Sequence, residues 1–352
     1  MCITSYEFLL LNRNKFFMPR TFVSDCEGPI TKNDNAFEIA ARYVPNGGSL
    51  FSIVSKYDDV LADVTKKPGY NAGDTLKLML PFLKASDVTN QKMKDFSGEK
   101  ILIIPKADES LRNIRSSYNN RAFIVSTSYE QYINALCNLI GFPVENTYST
   151  KVNIDKYAMT ADEKIELDRL VKEIASMPMM NIPKSNVFSD FSEEDKRNIQ
   201  RLDEIFWKEI PSMSIGRVLD DVKPVGGHEK ANAVHDISKK TKVPLSDIIY
   251  VGDSITDVKA FDLVRESGGL AVSFNGNKYA VDAADVGIMS GDTLPVEEIA
   301  HLFKSGGKTE VINYAPRIKT VTVLTNENRE SFAQESSKFR KNVRTEEIGR
   351  LG

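Results

Sequence analysis

The sequence predicts an α/β fold in which a doubly wound parallel sheet carries helical insertions. Short apolar runs typical of buried strands alternate along the chain with amphipathic helical segments. This alternation favours parallel pairing, because a crossover helix connects neighbouring parallel strands. The strand-like runs lie at 20–25, 122–126, 247–252 and 269–274. With 352 residues, of which 41% are hydrophobic, the chain is long enough to bury one sizeable α/β core and a smaller one.

The first predicted strand, residues 20–25, is a short β-prone run that ends in a carboxylate. Its last residue, Asp25, is therefore expected at the edge of the sheet. Gly28 and Pro29 follow and stop the strand. Residues 1–17 precede this strand, and we interpret them as an extension on which the fold does not depend.

Residues 33–120 have a helical pattern, and we predict that they form a helical cap. One amphipathic helix follows a Gly-Gly break, with Ser49 as its N-cap. Its apolar positions recur at helical spacing: Leu50, Ile53, Val54, Tyr57, Val60, Leu61 and Val64. A second helix covers 76–83, where Pro81 is expected to bend or end it.

The strand signal returns at 122–126, and a helix that ends at Gly141 completes a strand-turn-helix unit. Residues 151–213 form a second helical insertion, in which Thr160 and Glu163 have the spacing of a capping box. Both faces of its helices are heavily charged. Two interpretations therefore stay open: a second cap, or a solvated decoration of the core.

The tail contains an apolar-alternating run at 320–324 and a polar helix from about residue 326. The sparse apolar side of this helix consists of Phe332, Phe339 and Val343, and its basic residues are Lys338, Arg340, Lys341 and Arg344. This helix either docks a partner protein or packs on its own core.

We divide the chain into a discontinuous core and three additions. The core comprises residues 18–32, 121–150 and 214–305, with the cap at 33–120, the insertion at 151–213 and the tail at 306–352.

Composition excludes several classes of protein. The formal charge is −3, from 46 basic and 49 acidic side chains, which creates no strong field towards nucleic acid or an anionic membrane. Cys2, Cys26 and Cys137 lie far apart, which predicts neither a disulfide framework nor a zinc site and fits a reducing compartment. No segment reaches the roughly 18 apolar residues of a membrane span. We therefore expect a cytoplasmic protein without direct membrane insertion, whose partner is a small molecule or another protein.

Four separated pieces of sequence carry residues suited to chemistry. They are Asp25-Cys26-Glu27-Gly28, Ser126, Lys230, and Gly252-Asp253-Ser254 with Asp257. Each lies at the end of a predicted strand or the start of a helix. Because the carboxyl ends of parallel strands meet at one edge of a sheet, residues about a hundred positions apart can share a site there.

Phosphoryl transfer through an aspartyl-phosphate would use all of these groups. A carboxylate is a weak nucleophile towards an anionic phosphate, so the site needs positive charge and hydrogen-bond donors. Asp25 and Asp253 offer the hard oxygen ligands that Mg²⁺ prefers, and Asp257 is placed to hold metal-bound waters. Lys230 would neutralise the nucleophile and the phosphate. The predicted substrate is a small phosphorylated metabolite.

Two further side chains complete this predicted chemistry. Ser126 would donate a hydrogen bond to a phosphoryl oxygen. Glu27, two residues past Asp25, is placed to protonate the leaving alcohol and then to activate water.

These motifs resemble those of the haloacid dehalogenase superfamily, in particular its phosphoserine-phosphatase branch. The matching strings are FVSDCEGPI, FIVSTSYE, Lys230 and VGDSITD, in that order. The resemblance implies a Rossmann-like fold with a cap. It also implies a nucleophile and metal ligand at Asp25, an acid/base and backbone metal ligand at Glu27, phosphate contacts at Ser126 and Lys230, and an acidic magnesium pair at Asp253 and Asp257.

The sequence departs from the family pattern at two positions. Glu27 stands where the family usually has Asp, and Pro29 stands where it usually has Thr or Val. The side chain at position 27 is one methylene longer than that of Asp, which changes the reach of the predicted acid/base. The string SDCEGPITKNDNAFE also resembles archaeal proteins of the same superfamily known as subunit R of energy-converting hydrogenase A. This second resemblance implies an alternative function, a non-catalytic accessory subunit of a hydrogenase complex.

Several residue assignments have competitors. Thr127 or Ser128 could take the place of Ser126 if the strand register differs, and Lys223 competes with Lys230. Strand alternation turns Cys26 away from the Asp25 side, which predicts an inert buried thiol.

Overall fold

The computed structural model describes residues 19–344 and 346–349. Its centre is a seven-stranded sheet in the spatial order β3-β2-β1-β4-β5-β6-β7, in which β7 alone runs antiparallel to its neighbour. The strands are β1 Thr21–Ser24, β2 Ala122–Tyr129, β3 Thr147–Thr150, β4 Ile248–Gly252, β5 Leu270–Phe274, β6 Val286–Ile288 and β7 Val321–Val323. The predicted α/β class with a parallel, doubly wound sheet is confirmed.

Fifteen α-helices are formed by the described residues. They are α1 Asn35–Tyr43, α2 Gly47–Asp59, α3 Thr75–Ala85, α4 Asn90–Glu99, α5 Ala107–Ser117, α6 Glu130–Ile140, α7 Ala161–Ala175, α8 Glu193–Glu204, α9 Val218–Asp221, α10 His228–Thr241, α11 Val258–Glu266, α12 Lys278–Ala283, α13 Leu294–Tyr314, α14 Arg329–Arg344 and α15 Glu346–Gly349. Helices α2 and α8 each continue into a π-helical turn, Val60–Val64 and Ile205–Glu209. Among the described residues, no helix is both long and apolar enough to cross a membrane.

Two apolar cores lie on opposite faces of the sheet. Successive side chains of a strand point to opposite faces, so neighbours along β1 enter different cores. Phe22 packs in one core and Val23 in the other, and β4 divides Ile249 and Tyr250 in the same way. Burial on both faces explains why these strands read as continuous apolar runs rather than as alternating ones.

A third apolar core joins the two predicted insertions. Helices α1, α2 and α3 share it with α7 and α8, whose inward side chains include Leu170, Ile199 and Leu202. The interpretation of residues 151–213 as a solvated decoration is therefore wrong. Helices α1, α2, α3, α7 and α8 together form one helical body, and the charged residues of α7 and α8 cover its outside. The capping box of Thr160 and Glu163 is confirmed.

Two local predictions in the first insertion are wrong: the N-cap of α2 and the end of α3 at Pro81. Helix α2 begins at Gly47 with Asn46 at its N-cap, so Ser49 lies inside the helix and not at its cap. Pro81 does not end α3, which continues to Ala85. The burial of the whole apolar side of α3 outweighs the loss of one backbone donor. Farther along, α5 belongs to the core of the sheet rather than to the helical body.

The tail helix packs against its own chain. Phe332 of α14 is buried in a sheet core, close enough to Gly287 that a β-carbon there would lie 2.3 Å from the phenyl ring. Arg340 and Arg344, which the sequence placed on a basic docking surface, are buried. That part of the docking interpretation is wrong.

Candidate active site

The carboxyl edge of the sheet collects the predicted residues. Asp25 follows β1, Ser126 lies in β2, Asp253 follows β4, and Lys230 lies in the first turn of α10. All four are buried. Their convergence follows from the parallel pairing of β1 with both β2 and β4, which aligns the ends of the three strands.

Lys230 connects two carboxylates. Its Nζ donates to Asp25 Oδ2 at 2.6 Å and to Asp257 Oδ1 at 2.7 Å, and its side chain is 0% exposed. Burial lowers the pKa of the ammonium, but the two adjacent carboxylates outweigh burial and raise the pKa above its usual value. Lys230 therefore stays charged. The competing Lys223 is exposed.

Asp257 holds the loop after β4 in place. Its Oδ2 accepts the backbone N–H groups of Asp253 at 2.9 Å and Ser254 at 3.1 Å. Its Oδ1 accepts Lys230 and, at 2.9 Å, the hydroxyl of Tyr250. A carboxylate has about four acceptor positions, and these four donors occupy them. Asp257 is thus suited to positioning its neighbours rather than to direct metal ligation.

Asp25 lies in a strongly desolvated environment. Burial raises the pKa of its carboxyl to about 7, against the opposing effect of Lys230 and with support from Asp257 and Asp253. The backbone N–H of Cys26 donates to Asp25 Oδ1 at 2.6 Å. The thiol of Cys26 packs in the apolar core, where burial raises its pKa well above the usual value. The prediction of an inert buried thiol agrees with this environment.

Glu27 is set up to carry a proton. Burial, followed by the charge of Asp34, raises the pKa of its carboxyl well above the usual value. Its Oε1 accepts the backbone N–H of Asn35, the first residue of α1, at 2.7 Å. A carboxyl group whose protonated form is favoured in this way is suited to act as a general acid.

Gly28 is required by its conformation and by its neighbour. Its φ is +109°, and a β-carbon there would lie 2.1 Å from Asp253 Oδ2.

We expect Gly28→Ala to lower the free energy of unfolding by roughly 1–3 kcal/mol, the usual range for a strained backbone residue, and to displace Asp253. Urea denaturation measures this loss. Gly98→Ala is the matched control, because Gly98 lies in α4 with nothing near its β-position. Equal stability of the two variants would contradict the assignment.

The carboxylates fit a divalent cation. Ligand oxygens of Asp25, Asp253 and Asp257 lie within 4.8 Å of one another, and all three residues are buried. Hard carboxylate oxygens are the donors that Mg²⁺ prefers. Because the acceptor positions of Asp257 are filled, Asp25 and Asp253 are the side chains that would hold the ion.

Two arginines that sequence reasoning missed contact this site. Arg344 Nη1 donates to Asp253 Oδ2 at 3.0 Å, and Arg340 Nη1 contacts the same oxygen. Both come from α14, about 90 residues after Asp253. The signal available in the sequence was their spacing: Phe332, Ser336, Arg340 and Arg344 recur every four residues, which places them on one face of a helix.

A small cavity lies between the sheet edge and the helical body. Its volume is about 90 Å³, enough for a few water molecules or a small anion. The walls include the site residues Asp25, Glu27, Asp253, Arg340 and Arg344, the neighbouring Asp34, the β2 residues Ser126, Thr127 and Ser128, and from the first insertion Phe51, Ser55, Asp58, Thr75 and Leu76.

Hydrogen bonds of the β2 hydroxyl groups indicate which of them can contact a phosphate. Ser126 Oγ donates to Ser128 Oγ at 3.2 Å, so both serines share one side of the strand. Thr127 donates its hydroxyl to the backbone carbonyl of Val225 at 3.0 Å. Ser126 and Ser128 are therefore the better candidates for a phosphate contact.

Comparisons with known proteins agree with this architecture. The family model of haloacid dehalogenase-like hydrolases matches residues 73–290, more than half of the chain. The structure is similar to that of a gene product of Archaeoglobus fulgidus, with a TM-score of 0.81 and 29% sequence identity over 95% of this chain and 99% of that chain. No curated protein sequence matches the chain.

More distant similarities concern two other solved structures. A phosphoserine phosphatase, solved as an analogue of its phospho-aspartyl intermediate, has a TM-score of 0.49 and 15% identity over 80% of this chain and 98% of its own. A haloacid dehalogenase family hydrolase from Salmonella enterica has a TM-score of 0.45 and 11% identity over 80% of this chain and 75% of that chain. The extent of the family match decides the assignment: this chain belongs to the haloacid dehalogenase-like hydrolase family.

Proposed function

We propose that this protein is a magnesium-dependent phosphatase that hydrolyses a small phosphomonoester through an aspartyl-phosphate on Asp25. The observation that carries the proposal is the placement of Asp25. It lies at a cavity wall, paired with the buried ammonium of Lys230 and within reach of the second carboxylate, Asp253. When bound, Mg²⁺ would supply positive charge to the phosphate oxygens.

The first step transfers the phosphoryl group to the protein. A carboxylate oxygen of Asp25 forms a bond to phosphorus while the bond from phosphorus to the ester oxygen breaks. The leaving oxygen takes its proton from Glu27, whose pKa burial raises well above its usual value, which favours the protonated form. Lys230 stabilises Asp25 in its charged form, which is the form that attacks.

The second step releases phosphate. Glu27, now ionised, accepts a proton from a water molecule, and the water oxygen bonds to phosphorus as the bond to Asp25 breaks. Inorganic phosphate leaves, Asp25 is regenerated, and Glu27 again carries its proton. Ser126 and Ser128 face the cavity and would donate hydrogen bonds to the phosphoryl oxygens.

The cavity is large enough for the reacting group of the substrate. Its volume of about 90 Å³ is enough for a phosphate group. Phe51, Leu76, Ser55 and Thr75 form the wall contributed by the first insertion, so this insertion would select the leaving group. The proposed substrate is a phosphoserine-like or other small organic phosphate.

The test is release of inorganic phosphate from a panel of small phosphomonoesters, with magnesium and with a chelator. We expect activity on at least one short-chain phosphate that the chelator removes and magnesium restores. Folded protein that binds magnesium but releases no phosphate across the panel would overturn the proposal. That result would favour the alternative of an accessory subunit of a hydrogenase complex.

Glu27→Gln separates the two roles of Glu27. We expect steady-state phosphate release to fall by roughly 10²–10⁴-fold, the usual contribution of a general acid or base. With p-nitrophenyl phosphate, whose leaving group needs no proton, a burst of about one nitrophenolate per protein should remain, because the missing base slows only the second step. Stopped-flow absorbance measures the burst. Exposed Glu109→Gln is the matched control. Unchanged steady-state rates in Glu27→Gln would remove this residue from the mechanism.

A further inference from the structure

The tail helix α14 places two guanidinium groups inside the candidate active site. Arg340 and Arg344 are 3% and 4% exposed, and both donate to the same oxygen, Asp253 Oδ2. Arg344 also donates to the backbone carbonyls of Lys32 at 3.2 Å and Asn33 at 2.5 Å. The carboxylate that they contact is the one assigned above to the divalent cation.

Contacts far from the site hold the helix in this position. Ser336 Oγ donates to the carbonyl of Gly276 at 2.7 Å, and Phe332 packs against Gly287. At the start of the helix, Arg329 Nη1 donates to the carbonyls of Ala284 at 2.9 Å and Asp282 at 3.0 Å. Because these contacts do not involve Asp253, the helix can stay anchored while the two guanidinium groups change partners.

The charges around the cavity make the arginines important for an anion. Five carboxyl side chains line the cavity: Asp25, Glu27, Asp34, Asp58 and Asp253. Among the described residues, the basic side chains in its wall are Arg340 and Arg344 alone. Lys230 lies behind Asp25 and is already shared between two carboxylates. The buried Nε of Arg340 has no hydrogen-bond acceptor among the described residues.

We infer that Arg340 and Arg344 couple the binding of the divalent cation to the binding of phosphate. The inference rests on the proposed function and assigns two residues to its site. A cation bound to Asp253 competes with both guanidinium groups for the same carboxylate. Buried guanidinium groups that lose this partner need another anion, since a buried charge without a partner is costly.

Phosphate is suited to replace the lost partner. The planar fork of an arginine matches two phosphate oxygens, and such charge-assisted pairs are strong. If magnesium binds alone, the two guanidinium groups lose Asp253 and gain no new partner. If phosphate binds alone, Asp253 and phosphate compete for the same two guanidinium groups. Each ligand therefore raises the affinity for the other, and linkage requires the same factor in both directions.

Calorimetric titration of the full chain tests this coupling without turnover. Magnesium is titrated with and without saturating inorganic phosphate, and phosphate is titrated with and without magnesium. For the wild-type protein we expect each ligand to tighten the other by about 5- to 150-fold, the usual range of such couplings. In Arg340→Gln/Arg344→Gln, magnesium alone should bind more tightly than in wild type, and the coupling factor should fall severalfold, to the smaller value set by direct attraction between the cation and the phosphate.

One control variant and one milder variant accompany the double substitution. Lys338→Gln removes an exposed basic residue from the same helix and should retain the wild-type coupling. If circular dichroism shows that the double variant is unfolded, Arg340→Gln is measured instead, and its coupling should fall severalfold. Wild-type coupling in the folded arginine variants would overturn the inference. So would a wild-type protein in which neither ligand affects the other, since the arginines would then only compete with the metal.

The two proposals can fail separately. Coupled binding without phosphate release from any ester would remove the proposed phosphatase and leave the coupled site. Magnesium-dependent phosphate release with uncoupled binding would remove the coupling and leave the phosphatase.

Discussion

Asp25→Asn will reduce the rate of phosphate release by on the order of 10⁴-fold or more, the scale seen when a nucleophile is removed. An amide oxygen does not form the acyl-phosphate bond that the proposed mechanism requires. The amide has the shape of the carboxyl group and can still accept from the backbone N–H of Cys26. The measurement is the initial rate of phosphate release with magnesium, on the best substrate of the panel.

The same variant should remain folded, and its stability has a predicted pH dependence. Burial raises the pKa of Asp25 from its usual value of 3.8 to about 7. A carboxyl group whose pKa is raised by folding stabilises the folded protein while it is protonated. This stabilisation is complete below the pKa of the unfolded state and is lost as the pH rises through about 7. The wild-type protein thus loses stability in this window through Asp25, whereas the Asn variant does not. Urea denaturation at pH 5 and pH 8 compares them.

An exposed substitution of the same kind serves as the control. Asp162→Asn, in the first turn of α7, should change neither activity nor the pH dependence of stability. Residual turnover of Asp25→Asn within tenfold of wild type would exclude Asp25 as the nucleophile.

Lys230→Met will destabilise the protein by roughly 3–5 kcal/mol and abolish turnover. The substitution preserves most of the side-chain volume but leaves Asp25 and Asp257 buried without their shared cation, and breaking a buried ion pair in this way has a cost of that size. The effect has a direction in pH. Without the ammonium the carboxyl group of Asp25 holds its proton more tightly, so the loss of stability is smallest below pH 4 and grows as the pH rises through about 7.

Two comparisons isolate this effect. Lys223→Met replaces an exposed lysine only seven residues away and should be close to neutral. Lys230→Met/Asp257→Asn removes one of the two stranded charges and should recover part of the lost stability. Urea denaturation at pH 8 measures all three proteins. A loss below about 1 kcal/mol for Lys230→Met would show that the lysine is not needed to balance the two carboxylates.

The residues predicted from sequence share one property: each was placed at the end of a predicted strand or at the start of a helix. Asp25, Ser126 and Asp253 were found because parallel strands converge at their carboxyl ends, whatever lies between them in sequence. Lys230 was found by its place in the order of motifs and its distance from Asp253. The thiol of Cys26 was placed correctly by strand alternation.

Predictions failed where several elements compete for the same surface. Charge on both faces of α7 and α8 suggested a solvated decoration, yet Leu170 and Leu202 complete a core with the first insertion. A pattern of apolar residues shows that one side of a helix is buried, but not which partner buries it. Pro81 illustrates the same limit, because tertiary packing kept α3 intact where local preference would end it.

The sequence by itself predicted the strands β1, β2, β4 and β5 of a parallel sheet and the acidic and basic residues at its carboxyl edge, because strand patterns and motif spacing are local properties. Only the tertiary structure decided that Asp257 binds backbone N–H groups, that the two insertions share one core, and that Arg340 and Arg344 contact Asp253. The first of these facts depends on the conformation of the loop after β4. The other two depend on contacts between elements distant in sequence, which are set by how whole surfaces pack together.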